Sequence, residues 1–151
     1  MNKIKANNYF VEFKQEGFDS LKKLLIDNDY SSIFIIADSN TKKHCLAVLN
    51  KKFSESIKAE LISIPPGEEN KTINSCQRIW KTLSDKGGDR KSLILNLGGG
   101  VITDMGGFIA STFKRGIDFV NIPTTLLSMV DASIGGKTGV DLGAIKNQIG
   151  I

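Results

Sequence analysis

Short apolar runs alternate with segments of helical spacing, and this alternation constrains the fold more than any other feature of the chain. Residues 32–37 and 92–97 are almost entirely apolar, as expected of strands that are covered on both faces of a sheet. The same pattern predicts strands at residues 9–13 and 60–64, and helices at residues 20–28, 41–53 and 72–86. Strand–helix alternation of this kind predicts an α/β fold, a mostly parallel sheet with helices on both faces.

The sequence also predicts where one of these helices ends and which side chains of another face the core. Gly87 and Gly88 should end the helix at residues 72–86. The helix at residues 41–53 is expected to turn five apolar side chains inward, those of Cys45, Leu46, Val48, Leu49 and Phe53.

Composition excludes several classes of protein. A chain of 151 residues with 40% hydrophobic and 24% charged residues suits one globular domain. It contains no run of ~20 apolar residues that could span a bilayer, and no apolar leader follows Met1. The two cysteines, Cys45 and Cys76, do not have the spacing of a CxxC motif or of a metal site. Buried thiols in a reducing compartment, the cytoplasm, are therefore expected. The net charge of +4 arises from lysines interspersed with acids, which favours solvated helix faces over a nucleic-acid surface.

Glycine is concentrated in the last third of the chain, where 11 of the 15 glycines lie from Gly98 onward. Gly98, Gly99 and Gly100 follow a predicted strand and precede a predicted helix. Glycines let backbone N–H groups approach a diphosphate, and a helix N-terminus favours negative charge. The segment is therefore a candidate nucleotide site, with a turn shaped only for packing as the alternative.

Two other strand ends carry polar side chains. In residues 66–71, Glu68 could accept a hydrogen bond from a ribose hydroxyl and Lys71 could reach a phosphate, although a helix start explains the same residues. After the strand at residues 32–37, Asp38 could bind a sugar hydroxyl. Asn40 or Thr41 acting as a helix N-cap explains part of that pattern without a ligand.

A fourth cluster lies in residues 121–141. Thr124 and Thr125 supply hydroxyls at a strand end, and Asp131 is followed by Gly-Gly-Lys-Thr. The latter is not a P-loop, because Asp131 stands where the first glycine is required and no convincing helix follows. What remains is a flexible loop that presents Lys137 to an anion.

Further cations and one amide complete the set, namely Lys146, Asn147 and the exposed Arg115, whose guanidinium suits a phosphate. Each cluster alone has a structural explanation. Together, at strand ends of one parallel sheet, they predict a dinucleotide and a phosphorylated or carboxylated substrate.

Several motifs occur in order: Pro-Gly-Glu-x-x-Lys, Gly-Gly-Gly-Val-x-x-Asp, Arg-Gly, Pro-Thr-Thr-Leu-Leu, Gly-Gly-Lys-Thr and Lys-Asn-x-Ile-Gly. From about Asp38 to Gly150 the chain resembles the N-terminal domain of the 3-dehydroquinate synthases, which have a Rossmann-like fold. The wider sugar phosphate cyclase group shares parts of the pattern. Iron-dependent alcohol dehydrogenases and glycerol dehydrogenase share the fold more distantly.

The resemblance implies a role for each candidate residue around NAD. The adenosine half would be held by Asp38, Asn40, Glu68 and Lys71. The diphosphate region would be held by Gly99, Gly100, Val101 and Asp104. The rest of the cofactor site would be lined by Thr124, Thr125, Lys137 and Lys146.

The resemblance also implies the groups that meet the substrate, a sugar acid phosphate. Asp131 would lie near the nicotinamide and the substrate, and Lys137 and Asn147 would meet the substrate phosphate. Arg115 would reach that phosphate from the neighbouring subunit of a homodimer. Neither a nucleic acid nor a membrane is an expected partner.

The reaction implied is conversion of 3-deoxy-D-arabino-heptulosonate 7-phosphate to 3-dehydroquinate and phosphate, in the shikimate route to aromatic amino acids. It needs a divalent metal, zinc or cobalt, held by one Glu and two His of a helical C-terminal domain. This chain has a single histidine, His44, which is expected to lie on the surface. Residues 1–151 are thus expected to be an N-terminal NAD-binding domain that stops before its last strand, and to be inactive alone. The alternatives are another sugar phosphate cyclase, a metal-dependent polyol dehydrogenase, or a non-catalytic nucleotide-binding module.

The chain departs from the family pattern at a few positions. The family usually has Asn where Asp141 stands, Pro near Gly143 and Gly where Ile145 stands. Thr103 and Gly106 also replace commoner residues. Asp141 is notable because it adds a negative charge near the expected phosphate site.

Overall fold

A computed structural model describes residues 3–6, 9–53 and 58–151. Its strands are β1 (Lys3–Lys5), β2 (Phe10–Glu12), β3 (Ser32–Asp38), β4 (Ala59–Ile64), β5 (Ser92–Gly98), β6 (Asp118–Pro123), β7 (Gly139–Leu142) and β8 (Ile145–Gly150). Its α-helices are α1 (Lys14–Asp27), α2 (Ser39–His44), α3 (Leu46–Phe53), α4 (Ile73–Asp85) and α5 (Gly100–Thr112). Strands β4, β3, β5 and β6 form a parallel sheet in that order, which confirms the predicted α/β fold.

Two apolar cores lie on opposite faces of this sheet. Alternate residues of a strand point to opposite faces, so Phe34 and Ile36 of β3 pack with α4 and α5, while Ile35 and Ala37 pack with α1 and α3. All seven residues of β5 are buried, as the continuous apolar run predicts for a central parallel strand. The helices therefore cover both faces of the sheet.

The ends of α4 follow from its sequence. Thr72 caps its start, with the hydroxyl oxygen accepting a hydrogen bond of 3.2 Å from the N–H of Ser75. Its end is closed where Gly87 takes a φ of +78° and the Gly88 N–H donates to the carbonyl of Leu83 at 2.8 Å. The predicted glycine stop is confirmed, because only a left-handed residue lets the chain reverse here.

The prediction of one helix at residues 41–53 is wrong. The chain instead forms α2 and α3, with a break at Cys45. Leu49 and Phe53 are buried as expected, but the side chain of Val48 is 56% exposed. Cys45 and Leu46 are half-buried and pack against the same core as Leu49 and Phe53. Of the five side chains predicted to face inward, only that of Val48 faces solvent.

The N-cap of α2 is Asp38, not Asn40 or Thr41. Oδ1 of Asp38 accepts hydrogen bonds of 2.8 Å from the N–H groups of both Asn40 and Thr41. The Thr41 hydroxyl oxygen in turn accepts the Asp38 N–H at 3.1 Å, which completes a capping box. Asp38 holds this position because it is the last residue of β3 and still has extended backbone angles.

Two antiparallel hairpins flank the parallel sheet. The first pairs β1 with β2, which shortens the strand predicted at residues 9–13 to Phe10–Glu12. The second pairs β7 with β8, in a stretch whose sequence has no clear strand pattern. The Asp141 N–H of β7 donates to the Lys71 carbonyl at 2.9 Å, so the second hairpin is attached to the start of α4. Among the residues described, none belongs to a helix long and apolar enough to cross a membrane.

Candidate functional site

The carboxyl ends of the four parallel strands are level with one another. Asp38 pairs with Ile64 and Gly98 pairs with Pro123, while β3 and β5 pair up to Ala37 and Leu97. The loops that follow these strands therefore lie side by side along one edge of the sheet. They contain most of the polar residues that the sequence singles out, and ligands of open parallel sheets bind at this edge.

The glycine turn at this edge leaves a helix start open. Gly99 is the N-cap of α5, and no side chain among the described residues caps it. The Thr124 N–H stabilises the turn by donating to the Gly98 carbonyl at 3.0 Å. Uncapped N–H groups in the first turn of a 13-residue helix are suited to a diphosphate, so the donor set fits NAD.

The turn also needs a small residue for close packing. A Cβ atom added to Gly99 would lie 3.2 Å from Cγ2 of Thr125, which is tighter than most such contacts. Val101, half-buried, occupies the first turn of α5. These contacts place Thr125 directly against the glycine turn.

A buried lysine connects three of the loops. Lys71 is only 3% exposed, and its Nζ donates to Oδ2 of Asp104 at 2.7 Å and to Oδ1 of Asn147 at 2.5 Å. The Asp104 side chain is 21% exposed and lies on α5. The ammonium group thus ties the loop after β4, the glycine-turn helix and the β7–β8 hairpin to each other, and three of the predicted residues are in direct contact.

The β7–β8 hairpin accommodates its aspartate. Oδ1 of Asp141 accepts a hydrogen bond of 2.7 Å from the N–H of Asn147, which has a φ of +52°. The oxygen of an asparagine side chain could accept the same bond, so the departure at this position preserves the turn. Next to it, Lys146 Nζ lies 3.9 Å from Oε1 of Glu68, in an exposed pair.

Lys137 and Asp131 form an ion pair on the surface, with Nζ and Oδ1 2.7 Å apart. The hydrogen bond to Asp131, followed by the attraction of its charge, raises the pKa of Lys137. The lysine therefore stays protonated at neutral pH and available to an anion. Strand β7 follows at Gly139, and the expectation that no helix follows this loop is confirmed.

A cluster of hydroxyls that the sequence analysis missed supports the glycine turn. Oγ1 of Thr103 lies 3.2 Å from Oγ of Ser128, which lies 3.3 Å from Oγ of Ser133. The cluster joins α5 to the irregular π-helical turn at Ser128–Ala132. Thr103, one of the departures, thus has a buried partner, and only the contact between distant segments reveals it.

Gly106, another departure, is explained by a buried amide. Asn96 of β5 is fully buried and donates through Nδ2 to Oδ1 of Asn121 at 2.9 Å. A Cβ atom added to Gly106 would lie 1.9 Å from Oδ1 of Asn96. Gly106 therefore leaves room on α5 for the buried amide of Asn96.

Arg115 is not brought to this edge within the chain. Helix α5 leads from the glycine turn back to the start of β6, and its 13 residues span about 20 Å. Arg115 follows that helix and is exposed, at the opposite end of the sheet from Gly99. Asn40 does lie near the site edge, in the first turn of α2, with an exposed side chain.

Over residues 3–6, 9–53 and 58–151, no group of three or more His, Cys, Asp or Glu side chains could hold a metal ion. His44 ends α2 with an exposed side chain, which confirms its predicted surface position. The residues described here therefore do not fit a catalytic divalent metal.

Residues 61–151 match the protein family described as 3-dehydroquinate synthase N-terminal. The chain is 45% identical to the 3-dehydroquinate synthase of Parabacteroides distasonis over 139 residues, 92% of this chain and 38% of the relative. It is 41% identical to the enzyme of Caldanaerobacter subterraneus over 97% of this chain and 42% of the relative. The chain thus spans between 38% and 42% of the length of these curated relatives.

Two solved structures resemble the chain in three dimensions. A 2-deoxy-scyllo-inosose synthase complexed with carbaglucose-6-phosphate, NAD+ and Co2+ has a TM-score of 0.84 and 22% identity, over 99% of this chain and 41% of that one. The 2-epi-5-epi-valiolone synthase of Streptomyces hygroscopicus subsp. jinggangensis, with NAD+ and Zn2+ bound, has a TM-score of 0.74 and 30% identity, over 83% of this chain and 36% of that one. The first comparison shows a shared fold.

Proposed function

The chain belongs to the 3-dehydroquinate synthase family, as its N-terminal domain, and we propose that it is the NAD-binding part of an enzyme that makes 3-dehydroquinate. The proposed reaction converts 3-deoxy-D-arabino-heptulosonate 7-phosphate to 3-dehydroquinate and phosphate, in the shikimate route to aromatic amino acids. One observation carries the cofactor proposal, namely the uncapped start of α5 at the level carboxyl edge of a parallel sheet. Both solved structures with NAD+ bound share this fold.

We assign the cofactor contacts to the loops along that edge. The N–H groups of Gly100 and Val101 donate to the diphosphate, and Asp104 fixes the neighbouring helix face. Asp38, Asn40 and Glu68 hold the adenosine half. Thr124, Thr125 and Lys146 line the remainder of the site. When bound, NAD would accept a hydride from the carbon atom that carries a substrate hydroxyl, while the hydroxyl loses its proton.

Lys71 has a different part in this proposal. Because its ammonium group is buried against Asp104 and Asn147, it holds the adenosine-side loop against α5. It therefore orders the cofactor site from within the protein.

The substrate phosphate is assigned to Lys137 and Asn147. Lys137 is exposed and protonated, and its partner Asp131 is exposed beside it. An incoming phosphate would compete with Asp131 for the ammonium group, which releases the carboxylate toward the substrate. Asp131 is accordingly placed near the nicotinamide and the reacting carbon atoms.

Arg115 acts across the interface of a homodimer in this proposal. Arg115 lies at the far end of α5, about 20 Å from its own glycine turn, which is too far for it to reach the phosphate site of its own chain. We therefore assign it to the phosphate site of the neighbouring subunit. The divalent metal of the whole enzyme, zinc or cobalt as in the solved relatives, is assigned to residues other than those described here, and no step of this chain depends on it.

We place the protein in the cytoplasm. Cys45 and Cys76 are both free thiols. Burial raises the pKa of Cys76 to about 12. Thiols that lack a disulfide partner are typical of a reducing compartment.

A chimera tests the enzymatic proposal. This chain replaces the aligned 38% of the Parabacteroides distasonis enzyme, and phosphate release from the sugar acid phosphate is measured with NAD and a divalent metal. We expect activity in the chimera, its loss in Lys137→Ala, and none from the 151-residue chain alone. A chimera that folds and binds NAD but releases no phosphate would contradict the assignment.

A further inference from the structure

A tyrosine from the first hairpin contacts the loop that carries Lys137. The Gly135 N–H donates a hydrogen bond of 2.6 Å to the hydroxyl oxygen of Tyr9, across 126 residues of sequence. Tyr9 immediately precedes β2, and its carbonyl accepts the Ala6 N–H at 3.0 Å, which closes the hairpin. The contact therefore joins the β1–β2 hairpin to the opposite end of the chain.

Within the described part of the chain, the two glycines of this loop have few packing contacts, although Lys137 after them pairs with Asp131. Gly135 and Gly136 have φ values of +91° and +73°, and a Cβ atom added at either would meet nothing within 4 Å. Both flanks are fixed, since the Ile134 N–H donates to the backbone carbonyl of Asp131 at 2.9 Å and the Thr138 N–H donates to the backbone carbonyl of Ile151 at 2.9 Å. Between these flanks, the Tyr9 hydroxyl restrains the backbone immediately before Lys137.

An ion pair and a cation–π contact stabilise the β1–β2 hairpin. Lys3 and Glu12 face each other across its strands, with Nζ and Oε1 2.6 Å apart, and Lys3 also lies 3.9 Å from the centre of the Phe10 ring. The hydrogen bond from Lys3 lowers the pKa of Glu12, so the pair is charged at neutral pH. Tyr9 is half-buried where it leaves this hairpin.

We propose that Tyr9 is a positioning residue, whose hydroxyl holds the Gly135 amide and so sets where the Lys137 ammonium group stands for a sugar phosphate. The inference rests on the proposed function, because it assigns Lys137 to the substrate phosphate. Tyr9 touches neither substrate nor cofactor. Glycines give the loop many accessible backbone states, and the hydrogen bond at Gly135 restricts them.

Tyr9→Phe removes the hydroxyl while keeping the ring. The matched control is Tyr30→Phe, which also loses a single hydroxyl bond, of 2.8 Å to Oδ2 of Asp118. Asp118 begins β6, at the opposite end of the sheet from the site. Tyr9 and Tyr30 are the only two tyrosines of the chain.

Amide hydrogen exchange by NMR of the chain gives a reading that is independent of activity. We expect Tyr9→Phe to speed exchange of the Gly135 amide about tenfold and to leave amides of β5 unchanged. In the chimera, the same variant should raise the KM for the sugar phosphate about fivefold, the loss of one hydrogen bond, with kcat nearly unchanged. Tyr30→Phe should alter neither reading.

The outcomes separate this inference from the proposed function. If Lys137→Ala leaves the KM and kcat of the chimera unchanged, the phosphate assignment of Lys137 fails. If Lys137→Ala impairs the chimera but Tyr9→Phe alters neither Gly135 exchange nor KM, the positioning role of Tyr9 is overturned. If Tyr9→Phe speeds Gly135 exchange without raising KM, the hydroxyl holds the loop for stability alone and the proposal is also overturned.

Discussion

The Nζ atom of Lys71 lies 2.7 Å from Oδ2 of Asp104, in an ion pair whose lysine is only 3% exposed. The pair joins the loop after β4 to the helix that starts at the glycine turn. Since Asn147 accepts a second bond from the same ammonium group, Lys71 holds three loops of the site in one arrangement. A buried cation therefore contributes to the order of this edge of the sheet.

Lys71→Met should destabilise the protein by about 2–3 kcal/mol, because it leaves a partly buried carboxylate and an amide oxygen without their donor. Scanning calorimetry should show a fall in Tm of about 5–10 °C. Lys146→Met is the control, since the Lys146 side chain is 71% exposed and its ion pair with Glu68 is long, at 3.9 Å. It should cost less than about 0.5 kcal/mol, and equal losses in both variants would contradict the account.

Gly106→Ala should lower the free energy of unfolding by about 1–3 kcal/mol, the range for overpacking a core. The reason is that the new methyl group would lie 1.9 Å from Oδ1 of Asn96. Gly100→Ala is the matched control on the same helix, where the methyl group would make an ordinary contact of 3.6 Å with Ala132. Urea denaturation measures both changes.

A second substitution identifies the clash as the cause. Asn96→Ala removes the obstructing amide, so adding it to Gly106→Ala should recover part of the lost stability. If the double variant is as unstable as the sum of the two single variants, the contact between positions 96 and 106 is not responsible.

Burial, then the hydrogen bond to Asp118, raises the pKa of Tyr30 to about 12 from an ordinary value of 10.0. Because the folded pKa lies above the unfolded one, the stabilising contribution is complete below pH 10 and is lost as pH rises through about 12. Absorbance titration of the tyrosines should show an ionisation near this value, which Tyr30→Phe removes and Asp118→Ala shifts downward. If the ionisation that Tyr30→Phe removes lies near pH 10 and not near 12, the assignment is wrong.

The strands and the site edge were predictable because their signals are local. A continuous apolar run such as that of β5 is readable from seven neighbouring residues, and the polar residues that follow each strand must meet at one edge of a parallel sheet. The helix break at Cys45 was not predictable, because residues 41–53 contain no glycine or proline that would mark it.

Contacts between distant segments were also beyond sequence reasoning. Lys71 and Asn147 are 76 residues apart, and Tyr9 and Gly135 are 126 apart. Each depends on where a hairpin packs in the fold, which neither residue type nor spacing encodes. The same holds for Asp38, whose capping role required the position of the strand end to within one residue.

Arg115 should act in trans. In the chimera, inactive Arg115→Ala protein is mixed with inactive Lys137→Ala protein under conditions of subunit exchange. Hybrid dimers then contain one site with both lesions and one intact site, so activity should return to roughly a quarter of wild type. Persistent inactivity with subunit exchange demonstrated would return Arg115 to the role of a surface charge.

The central claim is that the open start of α5 binds the diphosphate of NAD, and calorimetric titration of the chain with NAD tests it most directly. The comparison uses Gly100→Asp, which puts a negative charge at the glycine turn, and Gly87→Asp, which puts the same charge at the end of α4. Position 87 has a φ of +78°, which aspartate adopts at a cost in stability. Circular dichroism verifies that all three proteins fold. We predict saturable, weak binding by the wild-type chain and by Gly87→Asp, and none by Gly100→Asp. Equal binding by all three proteins, or none by the folded wild-type chain, would contradict the account.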